Sequence, residues 1–333
     1  MIDNFLNLFS RRKVRSPGRS HGETTSTHYR ESGPINFAGY DLERIYSLPE
    51  CPQKEPKSNF PLGFYKKFLR EINRLGIRVI TYADIFDQSD DWDYKRHYPE
   101  EEAQWRDRSS KDETYLLIQH DVDNHPDFTK RIVAMEAAYG IRSNIFLFNH
   151  RYTENGPDSA YEVDHEFFRE AQKNGFVIGY HQNAFALAGF DLDRAIEQYR
   201  SDVNALRNRY DIRFVVPHGG VGAVVDGRQT HNFDVPMPDE FEGNLRWVYN
   251  RYGVRFARRW SDGGLRKTRD PRRIKDFDII QNFLYRLKPG TRNFCLVHPQ
   301  RWGYNVDTQQ NPLLAKEEWY LELCAANNRI GEV

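Results

Sequence analysis

Histidines and aspartates that directly follow short apolar segments are the residues of this sequence best suited to catalysis or metal binding. Four apolar segments each end at a histidine, namely His120, His181, His218 and His298. The whole chain contains 11 histidines, so four at equivalent positions form a pattern. If the segments are parallel strands, their carboxyl ends lie on one face of the fold, and we expect the four imidazoles to converge there.

The first of these segments continues into a pair of aspartates. Asp121 and Asp123 are two residues apart, so in an extended segment their carboxylates point to the same side. Two carboxylates this close repel each other unless a cation lies between them or one is protonated. The pair is typical of a site in which one carboxylate binds a metal and the other acts as a base. The alternative is a surface turn with a helix cap, where Asp and Asn are frequent.

The last of these segments ends at His298, which begins the sequence His-Pro-Gln-Arg-Trp. A histidine that is not a metal ligand can protonate a leaving group near neutral pH. We therefore regard His298 as a candidate acid, and Trp302 as a candidate wall of the pocket.

The elements that must position these residues follow an alternating pattern from Tyr115 onward. The predicted strands are residues 115–119, 143–148, 176–180, 214–217, 254–260 and 293–297. The predicted helices are residues 127–139, 164–175, 192–206, 271–287 and 313–326. Strands that alternate with helices in this way predict an α/β fold with a parallel sheet.

The sequence divides into three parts. Residues 1–36 are polar and are predicted to form a flexible N-terminal arm. Residues 37–113 form an N-terminal extension with a helix at 64–75, a strand at 78–82 and a charged insertion. Residues 114–333 carry the candidate site, and within them segment 219–250 is predicted to be irregular because it is rich in Gly, Asn, Asp and Pro.

From Tyr115 to about Trp302 the chain resembles the polysaccharide deacetylase superfamily, whose members remove N-acetyl groups from chitin, peptidoglycan and other glycans. The resemblance is carried by Asp121 and Asp123, Gly179-Tyr180-His181, Pro217-His218-Gly219, Trp260-Ser261-Asp262 and Leu296-Val297-His298. It implies an irregular (β/α) barrel of about seven parallel strands. It also implies that Asp121 is the base, that Asp123 and His181 are metal ligands, and that Asp262 tunes the catalytic groups.

One position departs from the family pattern. The family places a second histidine four residues after the first metal-binding histidine, and this chain has Phe185 there. His218 is our first candidate for the third ligand, followed by Asn183 and His125. A site of Asp and His ligands suits zinc, although cobalt, manganese or nickel also fit.

Bulk properties restrict the partners and the compartment. Lys plus Arg equals Asp plus Glu at 48 each, so the net charge gives no reason to expect nucleic acid. A basic stretch, Arg251–Lys275, either forms a solvated surface or attracts an anionic partner. Three widely spaced cysteines, no secretory signal pattern and no long apolar run lead us to expect a cytoplasmic protein without a transmembrane segment.

These observations together predict a metal-dependent hydrolase. Its expected reaction is removal of an N-acyl group, in the first place N-acetyl, from an amino sugar or glycan precursor. One alternative is hydrolysis of an amide unrelated to sugars on the same scaffold. A second alternative is a catalytically silent relative that binds a glycan or a partner protein, and Phe185 is the residue that keeps this alternative open.

Overall fold

A parallel β-sheet organises the chain in the computed structural model. The structure describes residues 33–48, 51–52, 62–86, 109–150, 152–153, 156–157, 161–219, 223–233, 245–248, 255–262, 280–302 and 304–305. Among these residues the strands are β1 (Cys51–Pro52), β2 (Arg78–Ile80), β3 (Tyr115–Val122), β4 (Asn144–Leu147), β5 (Tyr152–Thr153), β6 (Gly156–Pro157), β7 (Val177–Gln182), β8 (Phe214–Pro217), β9 (Ala223–Val225), β10 (Arg228–Thr230), β11 (Arg246–Trp247), β12 (Arg258–Ser261), β13 (Arg292–Val297) and β14 (Tyr304–Asn305). The helices are α1 (Leu42–Tyr46), α2 (Leu62–Arg74), α3 (Tyr82–Ile85), α4 (Pro126–Ala138), α5 (His165–Lys173), α6 (Ala184–Leu187), α7 (Leu192–Arg207) and α8 (Ile280–Tyr285), with a 3₁₀ turn at Pro299–Arg301.

The main sheet has the hydrogen-bonded order β11–β8–β7–β4–β3–β13–β12, and every neighbouring pair is parallel. These seven strands curl into a half-barrel, as expected for an irregular (β/α) barrel. Strand β3 pairs with β13 over residues 115–120, and it is long enough to pair also with both β2 and β4, one after the other along its length. Its residues 115–117 pair with β2, and its residues 119–122 pair with β4. The strand that carries the aspartate pair is therefore central in the sheet.

Both faces of this sheet are buried, which explains the continuous apolar runs in the sequence. The inner face is lined by Val248, directly after β11, and by alternate strand residues, which are Ile80, Tyr115, Leu117, Phe146, Val177, Phe214, Val216 and Phe294. The intervening residues point outward and pack against the helices in two larger clusters. Because side chains alternate between the faces, the position of a residue along its strand decides whether it reaches the interior.

The helices begin where the sequence provides capping groups. Asp164 accepts a hydrogen bond from the backbone N–H of Phe167 at the start of α5, at 3.1 Å. Asp191 does the same for Arg194 at the start of α7, at 3.0 Å. Helix α4 follows β3 after a tight connection in which His125 has φ 45° and Pro126 occupies the first turn.

Most predicted elements from residue 115 onward are confirmed to within a few residues. Two expectations need correction. Tyr82 starts helix α3 instead of ending a strand, because Thr81 and Asp84 form a capping box there. Segment 219–250 includes the antiparallel pair β9–β10 and the edge strand β11, which is too short for periodicity to reveal.

Several predictions concern residues outside the described part of the chain. These are nearly all of the arm at 1–36, most of the charged insertion, the first half of helix 271–287, helix 313–326 and most of the basic stretch. The described residues belong to one compact unit, in which β2 of the N-terminal extension pairs directly with β3. No helix in the described residues combines the length and apolar character that a membrane crossing requires.

Candidate metal and acid–base site

The candidate site lies at the carboxyl ends of the central strands. Its side chains continue the inward-facing rows of β3, β7, β8 and β13, and they are Asp121, Asp123, His181, His218 and His298. In each row the residue two positions earlier also faces the interior, as the two-residue period of a strand requires. The convergence expected from the sequence therefore holds for both aspartates and for three of the four strand-end histidines.

Asp123 is the centre of the group. Its Oδ1 atom lies 3.1 Å from Nε2 of His181 and 3.5 Å from Nε2 of His218. One ligand atom from each of the three residues lies within 4.8 Å of the others. A tetrahedral ion with ligands at about 2.0–2.2 Å separates its ligand atoms by roughly 3.4 Å. The donor set, one carboxylate and two imidazoles from three different strands, fits a divalent metal of the zinc type.

Phe148, just beyond β4, holds the two imidazoles in place. Its ring stacks on His181 with centroids 4.8 Å apart and meets His218 edge-on at 5.1 Å. The hydroxyl of Tyr161 fixes Phe148, since it accepts from the Phe148 backbone N–H at 3.0 Å and donates to the carbonyl of Val122 at 2.8 Å. The two histidines therefore have little rotational freedom before any ligand binds.

Asp262 holds His298 in place through two hydrogen bonds. The carboxylate accepts hydrogen bonds from the backbone N–H of His298 at 2.7 Å and from its Nδ1 at 2.5 Å. Arg301 and Trp302 donate to the same carboxylate at 3.2 Å and 3.1 Å. With Nδ1 engaged, the Nε2 atom of His298 is left for chemistry, and it lies 3.9 Å from Oδ2 of Asp123. Trp302, expected as a pocket wall, is buried in an outer apolar cluster, from which its indole N–H reaches Asp262.

Asp121 is held in place by a hydrogen bond from Gln119. The side-chain amide of Gln119 donates to its Oδ1 at 2.7 Å, and the carbonyl oxygen of Gln119 accepts from the hydroxyl of Tyr82 at 2.8 Å. Asp121 does not belong to the cluster of three potential metal ligands. Its carboxylate is thus positioned beside that cluster without being one of its members.

Burial and neighbouring charges separate the proton affinities of these groups. Burial raises the pKa of Asp121, against the opposing charges of His181 and His298. Burial also disfavours the charged form of Asp123, but the hydrogen bond and charge of His181 outweigh it and hold its pKa well below the usual range. For His298, burial favours the neutral form, yet the charge and hydrogen bond of Asp262 raise its pKa to about 9. The pKa of His181 is also raised, because the charge of Asp121 and the hydrogen bond to Asp123 overcome burial.

The fourth strand-end histidine does not join the site, which corrects the expectation from the sequence. His120 precedes Asp121 directly, so the pleat turns its side chain to the outer face. There its Nε2 lies 2.9 Å from Oε1 of Glu136, which also accepts from Tyr65, while Oε2 accepts from Ser143. His120 therefore belongs to a buried polar network between the sheet and the helices.

The candidates for a third metal ligand are also separated by the structure. His218 lies in the ligand cluster. Asn183 is buried and donates to the carbonyl of His150 at 3.4 Å, and His125 is exposed. Phe185 is 1% exposed and packs in the outer apolar cluster.

Other residues of the site were missed by sequence reasoning. They are Gln119, Phe148, Tyr161, Gln300 and Arg301. Gln119 was within reach, since it lies two positions before Asp121 on the same strand face. Phe148 and Tyr161 had no local signal, because they act through contacts with residues far away in the sequence.

Comparison with family models, curated proteins and solved structures finds no match for this chain.

Proposed function

We propose that this protein is a metal-dependent hydrolase that removes an N-acyl group, in the first place N-acetyl, from an amino sugar or glycan precursor. One observation carries the proposal: a three-residue ligand cluster, Asp123 with His181 and His218, has two separate acid–base groups beside it. Those groups are Asp121 and the Asp262–His298 pair. Hydrolysis of an amide needs both a base for water and an acid for the departing amine.

Asp123, His181 and His218 would hold the cation. When bound, a divalent metal supplies Lewis-acid chemistry, polarising the amide carbonyl and making water a better proton donor. The residues present fit this assignment, because their donor atoms face one another and two imidazoles with a carboxylate suit zinc, cobalt, manganese or nickel.

Asp121 is proposed as the base. Burial raises the pKa of its carboxyl group, which strengthens the tendency of the carboxylate to take a proton. Gln119 fixes one of its oxygens, so the carboxylate has a defined orientation. It can then accept a proton from the attacking water.

His298 is proposed as the acid. Its pKa of about 9 keeps the imidazole protonated at neutral pH, and Asp262 fixes the ring through Nδ1. The proton on Nε2 can therefore be given to the nitrogen of the departing amine. Asp262 would act as a positioning residue that also stabilises the charged ring.

The choice of an N-acyl sugar rests on the resemblance of the strand-end motifs to the deacetylase superfamily. The same residues would serve an amide unrelated to sugars, and a silent relative would retain the scaffold without turnover. We propose the cytosol as the compartment, and the free buried thiol of Cys295 is compatible with a reducing environment.

Metal content and product release test this function together. We expect protein purified without chelators to carry one divalent ion per chain and to release acetate from some N-acetylated sugars or nucleotide sugars. His181→Ala should lose the ion. His125→Ala is the matched control, since this exposed histidine lies outside the ligand cluster, and it should keep the ion. Equal metal occupancy in His181→Ala and wild type would remove the basis of the proposal.

A further inference from the structure

The two oxygens of Asp123 have different partners. Oδ1 faces the imidazoles of His181 and His218, whereas Oδ2 accepts a hydrogen bond from Nε2 of Gln300 at 3.2 Å. Gln300 lies in the 3₁₀ turn at Pro299–Arg301, directly after the strand that delivers His298. Within the described residues, Gln300 is the hydrogen-bond donor to Oδ2, and His298 is farther away at 3.9 Å. Oδ2 of Asp123 is thus hydrogen-bonded to Gln300, and Oδ1 faces the two histidines.

The orientation of the Gln300 amide follows from chemistry. An ionised carboxylate only accepts hydrogen bonds, so the NH₂ group must face Asp123 and the carbonyl oxygen must face away. That carbonyl oxygen, Oε1, is buried and has no hydrogen-bond partner among the described residues. A buried carbonyl without a partner disfavours the folded state. In folding stability this cost opposes the gain from the hydrogen bond to Asp123, so the two effects of the glutamine largely offset each other.

We propose that Gln300 is a positioning residue for the cation: by holding Oδ2 of Asp123, it presents Oδ1 as a single, oriented ligand atom. This inference rests on the metal site of the proposed function. A carboxylate without such a restraint can rotate about its terminal bond and must be ordered when the ion binds. Hydrogen bonds to metal ligands from a second layer of residues commonly strengthen binding by about 10–100-fold.

Gln300→Met tests the inference because it keeps the length of the side chain and removes both polar atoms. We expect its affinity for Zn²⁺, measured by competition with a chromogenic chelator, to fall by about 10–100-fold. The melting temperature of the metal-free protein should change little, because the lost hydrogen bond to Asp123 and the removed unpartnered carbonyl offset each other. A purely structural role would instead lower the melting temperature and leave the affinity of the folded protein unchanged.

Gln198→Met is the matched control. Gln198 donates to a carboxylate in the same way, at 2.9 Å from Oδ1 of Asp202, but outside the candidate site. Its replacement should leave Zn²⁺ affinity at the wild-type value. Gln300→Asn is the second variant in case the methionine form does not fold, since its amide is one methylene too short to reach Asp123 and should also lose affinity.

The outcomes separate this inference from the proposed function. If wild-type protein binds Zn²⁺ through His181 but both Gln300 variants bind it equally well, the inference is overturned and the metal site stands. An equal loss of affinity in Gln198→Met would also overturn it, since the effect would then belong to general packing. If wild-type protein and His181→Ala do not differ in Zn²⁺ affinity, the metal site itself fails.

Discussion

Replacement of His218 by alanine tests the least conventional feature of the proposed metal site. Its Nε2 lies 3.5 Å from Oδ1 of Asp123, and its ring centroid lies 5.1 Å from that of His181. If His218 is the third ligand, the ion is held from the ends of three strands, β3, β7 and β8. His218→Ala should then lower metal affinity sharply while the fold persists, because the side chain is 29% exposed and fills little of the core.

The loss of metal affinity expected in His218→Ala can be estimated from the number of protein ligands. Zinc sites with four protein ligands bind with about 10–16 kcal/mol, which is about 2.5–4 kcal/mol for each ligand. Removal of one ligand therefore corresponds to a loss of about 10²–10³-fold. We expect the lower end of this range for His218, since water can reach its position. His181, at 1% side-chain exposure, should show the larger loss.

The assay is chelator competition with Zn²⁺ on wild type, His218→Ala and Phe185→Ala, with thermal melts of each metal-free protein. Phe185 is 1% exposed within the outer apolar cluster, so its truncation should cost about 3–5 kcal/mol of stability and leave metal affinity nearly unchanged. The opposite pattern, wild-type affinity in His218→Ala and lost affinity in folded Phe185→Ala, would refute the assignment of the third ligand.

Three further substitutions test the roles of individual residues. Asp121→Asn should reduce the rate of amide hydrolysis by roughly 10²-fold or more, and intact turnover would contradict the role of base. The melting temperature of the metal-free Asp121→Asn protein should stay equal or rise, because burial disfavours the carboxylate. Asp262→Asn should lower the pKa of His298 from about 9 toward 6.5, and an unchanged value in an NMR titration of metal-free protein would exclude that cause. The pKa of His298 is higher in the folded protein than in the unfolded chain, so the Asp262–His298 pair stabilises the fold fully below about pH 6.5. This stabilisation is lost as the pH rises through about 9. Thermal melts of wild type and Asp262→Asn across this pH range measure the loss. Gly179→Ala should destabilise the protein by about 1–3 kcal/mol, because its Cβ would overlap the ring of Phe146 and lie 3.0 Å from the carbonyl oxygen of Phe214; a wild-type melting temperature would show that the sheet can adjust.

The sequence was sufficient for the elements with clear periodicity and clear stops. The strands at β3, β7, β8 and β13 were predictable because each is a continuous apolar run bounded by polar residues or glycine. The edge strand β11, with two residues, has no such run, and it is defined by its pairing with β8. Helix α3 was hidden because local capping by Thr81 and Asp84 overrides the β-branched run before it.

The candidate site was predictable where one strand places two residues on one face, and less so across strands. Asp121 with Asp123 follows from the period of two, and the same period excludes His120, which the pattern of strand-end histidines had included. The contacts of Gln300 with Asp123 and of Phe148 with His181 join segments that follow or belong to different strands. Such contacts depend on strand order and register, which a single sequence does not encode locally.

Strand register also explains how two imidazoles can meet here although Phe185 stands where the deacetylase pattern, which the sequence resembles, has a second histidine. The β7–β8 ladder pairs His181 with Val216, and it continues past β8 because the N–H of His218 donates to the carbonyl of Gln182 at 2.8 Å. A His-x-x-x-His turn brings two imidazoles together through local geometry, whereas here a hydrogen bond between two strands does so. Since a slip of one residue would turn a ligand to the outer face, the ladder must be in register for the cluster to exist. Under the proposed function, position 185 is then free to hold an apolar side chain that packs against the helices.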